Sequence, residues 1–402
     1  MSGAAAIAPA IAGHGRPLLQ NRVLASLLIV AVIAIAATGF VAQAPNRLLS
    51  GHAVALWQAA SPGMLTAMTV LAVGMLAACL AAPSRALHLA VAGAGAALLL
   101  ATLAAAGGAA WRLSVGASPA ARTSLGAGFW VLLFCAALMI VDALQRLRAG
   151  PGLRLVVAVA VVLAVAAIAA TGRFDQLSII REYANRRDVF VAALLRHVWL
   201  VVGSVLPALL IGMPLGIIAL RRPALRTPLF STLNLLQTVP SIALFGLLIA
   251  PLSALSAAVP SLRAIGVQGI GVAPALIALV LYALLPVVRN TYAGFAGVDG
   301  GVLESARGMG LAKRQIFWQV ELPLSAPVLL AGLRIVTVQA IGLAVVAALI
   351  GAGGLGTFVW QGLGQDAVDL VLLGAVPAIL LALAADFLLQ ILTAFIRRKV
   401  SP

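Results

Sequence analysis

The chain has 402 residues, of which 63% are hydrophobic and 9% charged, and its mean hydropathy is +1.15. Soluble domains run at about 45–50% apolar and about 25% charged, so a soluble enzyme is excluded first. The net charge of +16 does not mark a nucleic-acid binder, because the 26 basic residues fall in short clusters between long apolar runs, as membrane topology requires.

Taken in chain order, ten runs are apolar enough to cross a bilayer as helices of about 20 residues. They lie near Val23–Val41, Met64–Ala82, Leu87–Ala106, Leu125–Leu144, Leu155–Thr171, Trp199–Leu220, Leu233–Ala250, Val272–Val288, Val328–Ile350 and Leu370–Thr393. No run carries a polar residue at every second position, so transmembrane strands are not indicated. The fold class is therefore all-α, a polytopic transmembrane helical bundle. Cys79 and Cys135 both sit inside apolar runs, which indicates neither a disulfide framework nor a metal site. Four scattered histidines add none.

Residues 1–15 are small and Ala/Gly-rich, and disorder is expected there. Arg16 and Arg22 precede the first run, and Ala42-Gln43-Ala44 imitates a signal-peptidase site. A run of about 19 residues is long for a signal sequence, and Pro45 would follow the cut, so an uncleaved first span is expected. With the N-terminus placed in the cytoplasm, sixteen Lys and Arg fall inside and nine outside. Arg16, Arg397, Arg398 and Lys399 count inside and Arg47 outside. The bias favours both termini in the cytoplasm, although five of the outside charges share the segment Thr171–Trp199.

The chain divides by texture near Arg173. In residues 1–172, five spans have short, featureless loops, and Asp142 lies close enough to a span end to snorkel to water. In residues 173–402, five spans carry or adjoin Pro207, Pro214, Pro240, Pro286 and Pro377, and the loops hold specific polar residues. Segment Leu177–His197 is amphipathic. It reads as a helix on the outer membrane surface or as a docking surface for a soluble partner.

Residues Gly300–Arg334, GGVLESARGMGLAKRQIFWQVELPLSAPVLLAGLR, lie on the cytoplasmic side of that topology. They read as a helix, a break at Gly308-Met309-Gly310, a second helix over Ala312–Val320, and a proline that opens the next span. Val302, Leu303, Ala306 and Met309 form one short face that can bury, while Glu304, Arg307, Lys313 and Arg314 stay in water. Arg334 and Asp386 are the ionisable residues clearly inside spans of this half. Each lies about 16 Å from a similar cytoplasmic marker on antiparallel spans, so an ion pair is possible, and a place on the solute pathway is the other reading.

The 300–334 string resembles the coupling loop of ABC importer permeases: EAA, three residues, Gly, nine residues, Ile, one residue, Leu-Pro. The matching positions are Glu304, Ser305, Ala306, Gly310, Val320, Leu322 and Pro323, with Ser305 and Val320 departing from Ala and Ile. Gln237-Thr238-Val239-Pro240-Ser241, Leu285–Tyr292 and Gly351–Gly356 look like the osmoprotectant subfamily, and the extra N-terminal spans resemble its YehY-type members. The resemblance covers about 220 residues. It implies a type I permease core in residues 173–402 with a cytoplasmic coupling loop at 290–325. Glu304, Ser305, Ala306, Arg307, Gly310, Leu322 and Pro323 would receive the motion of an ATPase. Gln237, Pro240, Ser241, Gly353 and Gly354 would lie on a pathway or gate.

The same resemblance implies separate ATPase subunits, an extracytoplasmic binding protein and a second permease, identical or not. The solute would be glycine betaine, choline, carnitine or a relative, in the bacterial cytoplasmic (inner) membrane. No cofactor is expected on this chain; ATP and Mg would sit on the ATPase. No Gly-Lys-Ser/Thr sequence exists here, so the chain lacks a P-loop. Gly351–Gly356 satisfies G-x-G-x-x-G formally but follows a membrane run rather than a strand, and reads as a flexible turn or gate loop. Trp199, Phe245, Tyr282, Phe358 and Trp360 show no clustered aromatic cage in their spacing and read as core-packing or interface-anchoring residues. The N-terminal half has no derivable function beyond stabilising the complex. The alternatives are an importer of methionine or another small solute, and an ATP-independent secondary transporter.

Overall fold

In the computed structural model, residues 19–46, 49, 51–264 and 266–400 are described, the last four without side chains. The expectations for residues 1–15, Arg16, Arg47 and the side chains of Arg397, Arg398 and Lys399 fall outside them. The chain forms two compact units, Met1–Leu177 and Ser178–Pro402.

The first unit contains α1 (Arg22–Ala37), α2 (Leu56–Ala59), α3 (Pro62–Leu80), α4 (Arg85–Ser114), α5 (Ala127–Arg146) and α6 (Pro151–Ala170). Its core joins Leu24, Met75, Leu98, Phe129 and Met139. Helix α1 has 16 residues, about 24 Å of rise, and is shorter than the expected first span. It stops at Ala37 because the chain turns into a strand: the Phe40 amide donates to Val54 O at 2.9 Å. Strand β1 (Val41–Ala44) pairs antiparallel with β2 (His52–Val54) and β3 (Arg122–Leu125). Strands of three or four residues are too short to announce themselves by alternation. Helix α4 runs eight residues past the expected end at Ala106, through Gly107 and Gly108. Asp142 does not snorkel alone; Asn21 Nδ2 donates to it at 3.0 Å and Arg146 Nε at 2.8 Å. Asn21 Oδ1 also accepts from the Leu24 amide and caps α1.

The second unit contains α7 (Ser178–Asn185), α8 (Arg187–Arg221), α9 (Pro223–Thr238), α10 (Ser241–Ala258), α11 (Pro260–Ala264), α12 (Val272–Ala296), α13 (Gly300–Gly308), α14 (Lys313–Ile316), α15 (Leu322–Val346), α16 (Gly356–Leu363) and α17 (Val368–Val400). Among the described residues nine helices are long and apolar enough to span, with α1 a shorter tenth.

Three expectations are corrected here. The segment Leu177–His197 is not one surface helix: it breaks at Arg186, and its second half opens the 35-residue α8, where His197 is fully buried. The span expected over Leu233–Ala250 is displaced to Ser241–Ala258, because Pro240 cannot continue a helix and holds Val239 extended. The last helix of the 300–334 segment is not separate. From Lys313 the chain stays helical through a π-turn, Phe317–Glu321, into α15. Pro323 has no N–H to return to residue 319, and the wider turn absorbs the defect, with the Leu322 amide reaching back to Phe317 O.

Within a membrane, helices associate through close packing of small residues rather than through the hydrophobic effect. Helix α8 packs on α12 through Gly212 and Gly216, four residues apart. A Cβ on Gly212 would come 2.6 Å from Val287 Cγ1, and one on Gly216 equally near Thr291 Cβ. Gly216→Leu is expected to lower stability by about 1–3 kcal/mol, read as a lower melting temperature of the purified full chain.

Candidate coupling site

Helix α13 begins at an Asp299 cap: its Oδ1 accepts from the amides of Gly301 at 2.7 Å and Val302 at 3.2 Å. The helix ends in a Schellman turn. The Leu311 amide returns to Ala306 O at 3.2 Å, and the Gly310 amide to Arg307 O at 2.9 Å. Gly310 sits at φ +80° in the left-handed region, where a Cβ is strained. The Gln315 side chain then accepts through Oε1 from the Ala312 amide at 2.8 Å and starts α14.

The loop's faces divide differently from the sequence expectation. Ala306 is buried and Leu303 half-buried, but Val302 is 44% and Met309 73% exposed. Glu304, Ser305, Arg307 and Gly310 are exposed beside them. A nine-residue helix has room to press only one residue row against its own chain. The other apolar residues therefore stand outward among charges.

Behind the loop, Phe317 stacks on Phe295 at the end of α12, with centroids 5.6 Å apart and planes 3° from parallel. Arg221, closing α8, lies 5.9 Å over the Phe317 ring and 3.5 Å from Glu321. The π-turn that follows the exposed loop is thus tied to α8 and α12. Val320, Leu322 and Pro323 are half-buried in the same stretch.

Deeper in the unit, Arg334 and Asp386 meet as a forked pair between α15 and α17. Arg334 Nη2 donates to Asp386 Oδ2 at 2.8 Å, and Nε donates to Oδ1. The pair is not enclosed: its side chains are 40% and 32% exposed. At the end of α9, Gln237 Nε2 donates to Tyr282 O at 2.8 Å. Pro286, four residues on, has no N–H for that carbonyl, so Gln237 satisfies it. The Tyr282 hydroxyl donates in turn to Val239 O, just before the break at Pro240. Gln237→Leu should cost about 1–3 kcal/mol by leaving the Tyr282 carbonyl unmatched, and thermal unfolding of the variant checks it.

The Gly351–Gly356 loop is wedged rather than loose. Ala352 and Leu355 are buried, and Arg196 Nε donates to Ala352 O at 3.2 Å. Gly353 and Gly354 both have φ above +80°. A Cβ at Gly354 would stand 3.1 Å from His197 Nδ1.

Residues 208–401 match the family described as "Binding-protein-dependent transport system inner membrane component". Residues 20–180 match "ABC transporter permease YehY, N-terminal domain". The osmoprotectant import permease protein OsmW of Salmonella typhimurium is 41% identical over 199 residues, 48% of this chain and 86% of that protein. The chain belongs to the ABC transporter permeases. The carnitine transport permease protein OpuCB of Listeria monocytogenes is 39% identical over 194 residues, covering 48% of this chain and 82% of its own. The choline transport system permease protein OpuBB of Bacillus subtilis is 35% identical over 206 residues, covering 51% and 86%. Among solved structures, a chain of the inward-facing MetNI methionine ABC transporter overlays with a TM-score of 0.44 at 23% identity, covering 54% of this chain and 99% of that one.

The permease is therefore the transport subunit of an ABC importer, a multi-pass inner-membrane protein that works with an ATPase on a separate subunit and a substrate-binding protein. Its geometry brings together Arg334 with Asp386, and Gln237 with the Pro240 break. It keeps Glu304–Gly310 apart from both, on an exposed turn. The Phe295–Phe317 stack and the Arg221 anchor were missed in the sequence, where a lone Phe at a helix end carries no signal. Phe245, Tyr282 and Phe358 are core residues, and Trp199 stacks under Arg196 at 5.2 Å.

Proposed function

We propose that the permease imports glycine betaine or a related quaternary ammonium osmoprotectant, with ATPase closure transmitted through the Glu304–Pro323 loop. The observation that carries the coupling role is the exposed turn of α13, where Val302 and Met309 stand outward beside Glu304 and Arg307. Apolar residues exposed in a row of charges suit a protein cleft. Closure of the ATPase would push this turn, and the Phe295 and Arg221 contacts would carry the displacement to α12 and α8. The prolines of α8, α10, α12 and α17 supply the kinks at which the spans rock between outward and inward openings.

In this reading residues 173–402 are the permease core, with 290–325 as its cytoplasmic loop, and residues 1–172 form an added membrane region. Both termini lie in the cytoplasm, a placement supported by the excess of Lys and Arg on that side. A second permease, identical or different, completes the pathway, and ATP with Mg binds the ATPase subunits. Gln237, Pro240, Ser241, Gly353 and Gly354 border the moving segments. The solute assignment is supported by relatives named for osmoprotectant, carnitine and choline transport. Uptake of radiolabelled glycine betaine, carnitine, choline and methionine tests it, in a transport-deficient host expressing the permease with its ATPase and binding protein. Uptake of a quaternary ammonium solute is expected. Uptake of methionine alone would overturn the solute assignment and keep the coupling loop.

A further inference from the structure

An open cavity of about 690 Å³ lies where α8 ends beside the corner between α13 and α14. Four cations line it: Arg221, Arg307, Lys313 and Arg314. Glu321 is the carboxylate in the lining, and it lies 3.5 Å from Arg221. Among the described residues, Arg307, Lys313 and Arg314 meet no carboxylate within ion-pair distance. The cavity therefore gathers about three positive charges without a paired carboxylate in one open concave space, which raises the local potential for an anion.

The rest of the lining is apolar. It consists of Ile217, one turn inside the end of α8, and of Ile316 and Phe317. Arg221 and Arg222 close the apolar run of α8 at this level, and Trp318, 58% exposed, stands next to the Phe317 ring. Aromatic and basic residues at a span end mark the boundary between hydrocarbon and headgroups. A site that combines cations with aliphatic and aromatic carbon at the end of a span fits a ligand of the same make-up.

We propose that this cavity binds the phosphate headgroup of an anionic phospholipid. The phosphodiester would lie among Arg307, Lys313 and Arg314, and the glycerol and first methylenes against Ile217 and Phe317. Basic pockets between spans recognise lipid headgroups in this way. Free inorganic phosphate and acidic side chains of the ATPase share the charge complementarity but have no use for the apolar part of the lining, Ile217, Ile316 and Phe317. The site goes beyond the transport reading and holds whichever solute is carried.

Native mass spectrometry of the full chain tests it, with phosphatidylglycerol and phosphatidylcholine offered at equal concentration. The wild type should retain phosphatidylglycerol preferentially. The double variant Lys313→Gln/Arg314→Gln should bind it about 30-fold more weakly, with an unchanged melting temperature showing that the fold is intact. Arg314→Lys, which keeps the charge, should retain the lipid and guards against a folding artefact. Equal retention of phosphatidylglycerol by the double variant would overturn the proposal. So would its displacement by millimolar inorganic phosphate, which would make free phosphate the ligand. Loss of the lipid when the ATPase is added would assign the cavity to that protein's acidic residues instead. Retention in the assembled complex supports the lipid.

Discussion

Gly310→Trp is expected to abolish ATP-driven uptake while leaving the permease in the membrane at its wild-type level. The backbone at Gly310 has φ +80°, so any side chain costs about 1–2 kcal/mol there. That strain is small beside the stability of a folded bundle of this size and falls on an exposed turn. No atom outside the immediate backbone lies within 4 Å of a Cβ built at this position. A side chain at this position therefore starts into open space, and an indole there would obstruct a partner that docks on the turn. Gly310→Ala separates the two effects, since it carries the strain without the bulk. Alanine should retain most uptake and tryptophan should lose it, with equal membrane levels on immunoblots. Normal uptake by the tryptophan variant would remove the loop from the coupling path.

The second large effect concerns Arg334 and Asp386. Removing either partner leaves a lone charge inside a span, at about 3 kcal/mol. Arg334→Ala and Asp386→Ala should both lower the amount of folded permease and abolish uptake. The exchange Arg334→Asp/Asp386→Arg keeps one charge of each sign on the facing helices and should restore folded protein. The single variants and the exchange are read by fluorescence-detected size exclusion and by uptake. Restored protein with uptake assigns a structural pair. Restored protein without uptake assigns the pair to the solute pathway, a role consistent with its partial exposure. An exchange variant that stays unfolded would refute simple pairing.

Much of this was legible in the sequence because membrane helices announce themselves by length and apolar content, and both are local properties. The spacing Glu304, Gly310, Leu322-Pro323 was legible for a related reason: the turn needs a glycine at one position and the span start tolerates a proline. What escaped was set by partners distant in sequence. Nothing near Gln237 tells that Pro286 frees the Tyr282 carbonyl it satisfies. Nothing near Asp142 tells that Asn21, 121 residues earlier, holds it. The strand Val41–Ala44 is set by its pairing with β2 and β3, whereas in the sequence Val41 reads as the end of a span and Ala42-Gln43-Ala44 as an imitation of a cleavage site. The outward turn of Val302 and Met309 was misread because helical spacing groups residues on a face without saying which face meets the protein.

Hydrolysis of ATP on a separate subunit is expected to drive solute through this chain by way of the Glu304–Pro323 loop. Its most direct test is uptake of radiolabelled glycine betaine in a transport-deficient host carrying the permease, its ATPase and its binding protein, with the P-loop lysine of the ATPase intact or replaced. Uptake is expected with the intact ATPase and none with the replaced lysine. Uptake that survives the loss of that lysine would contradict it.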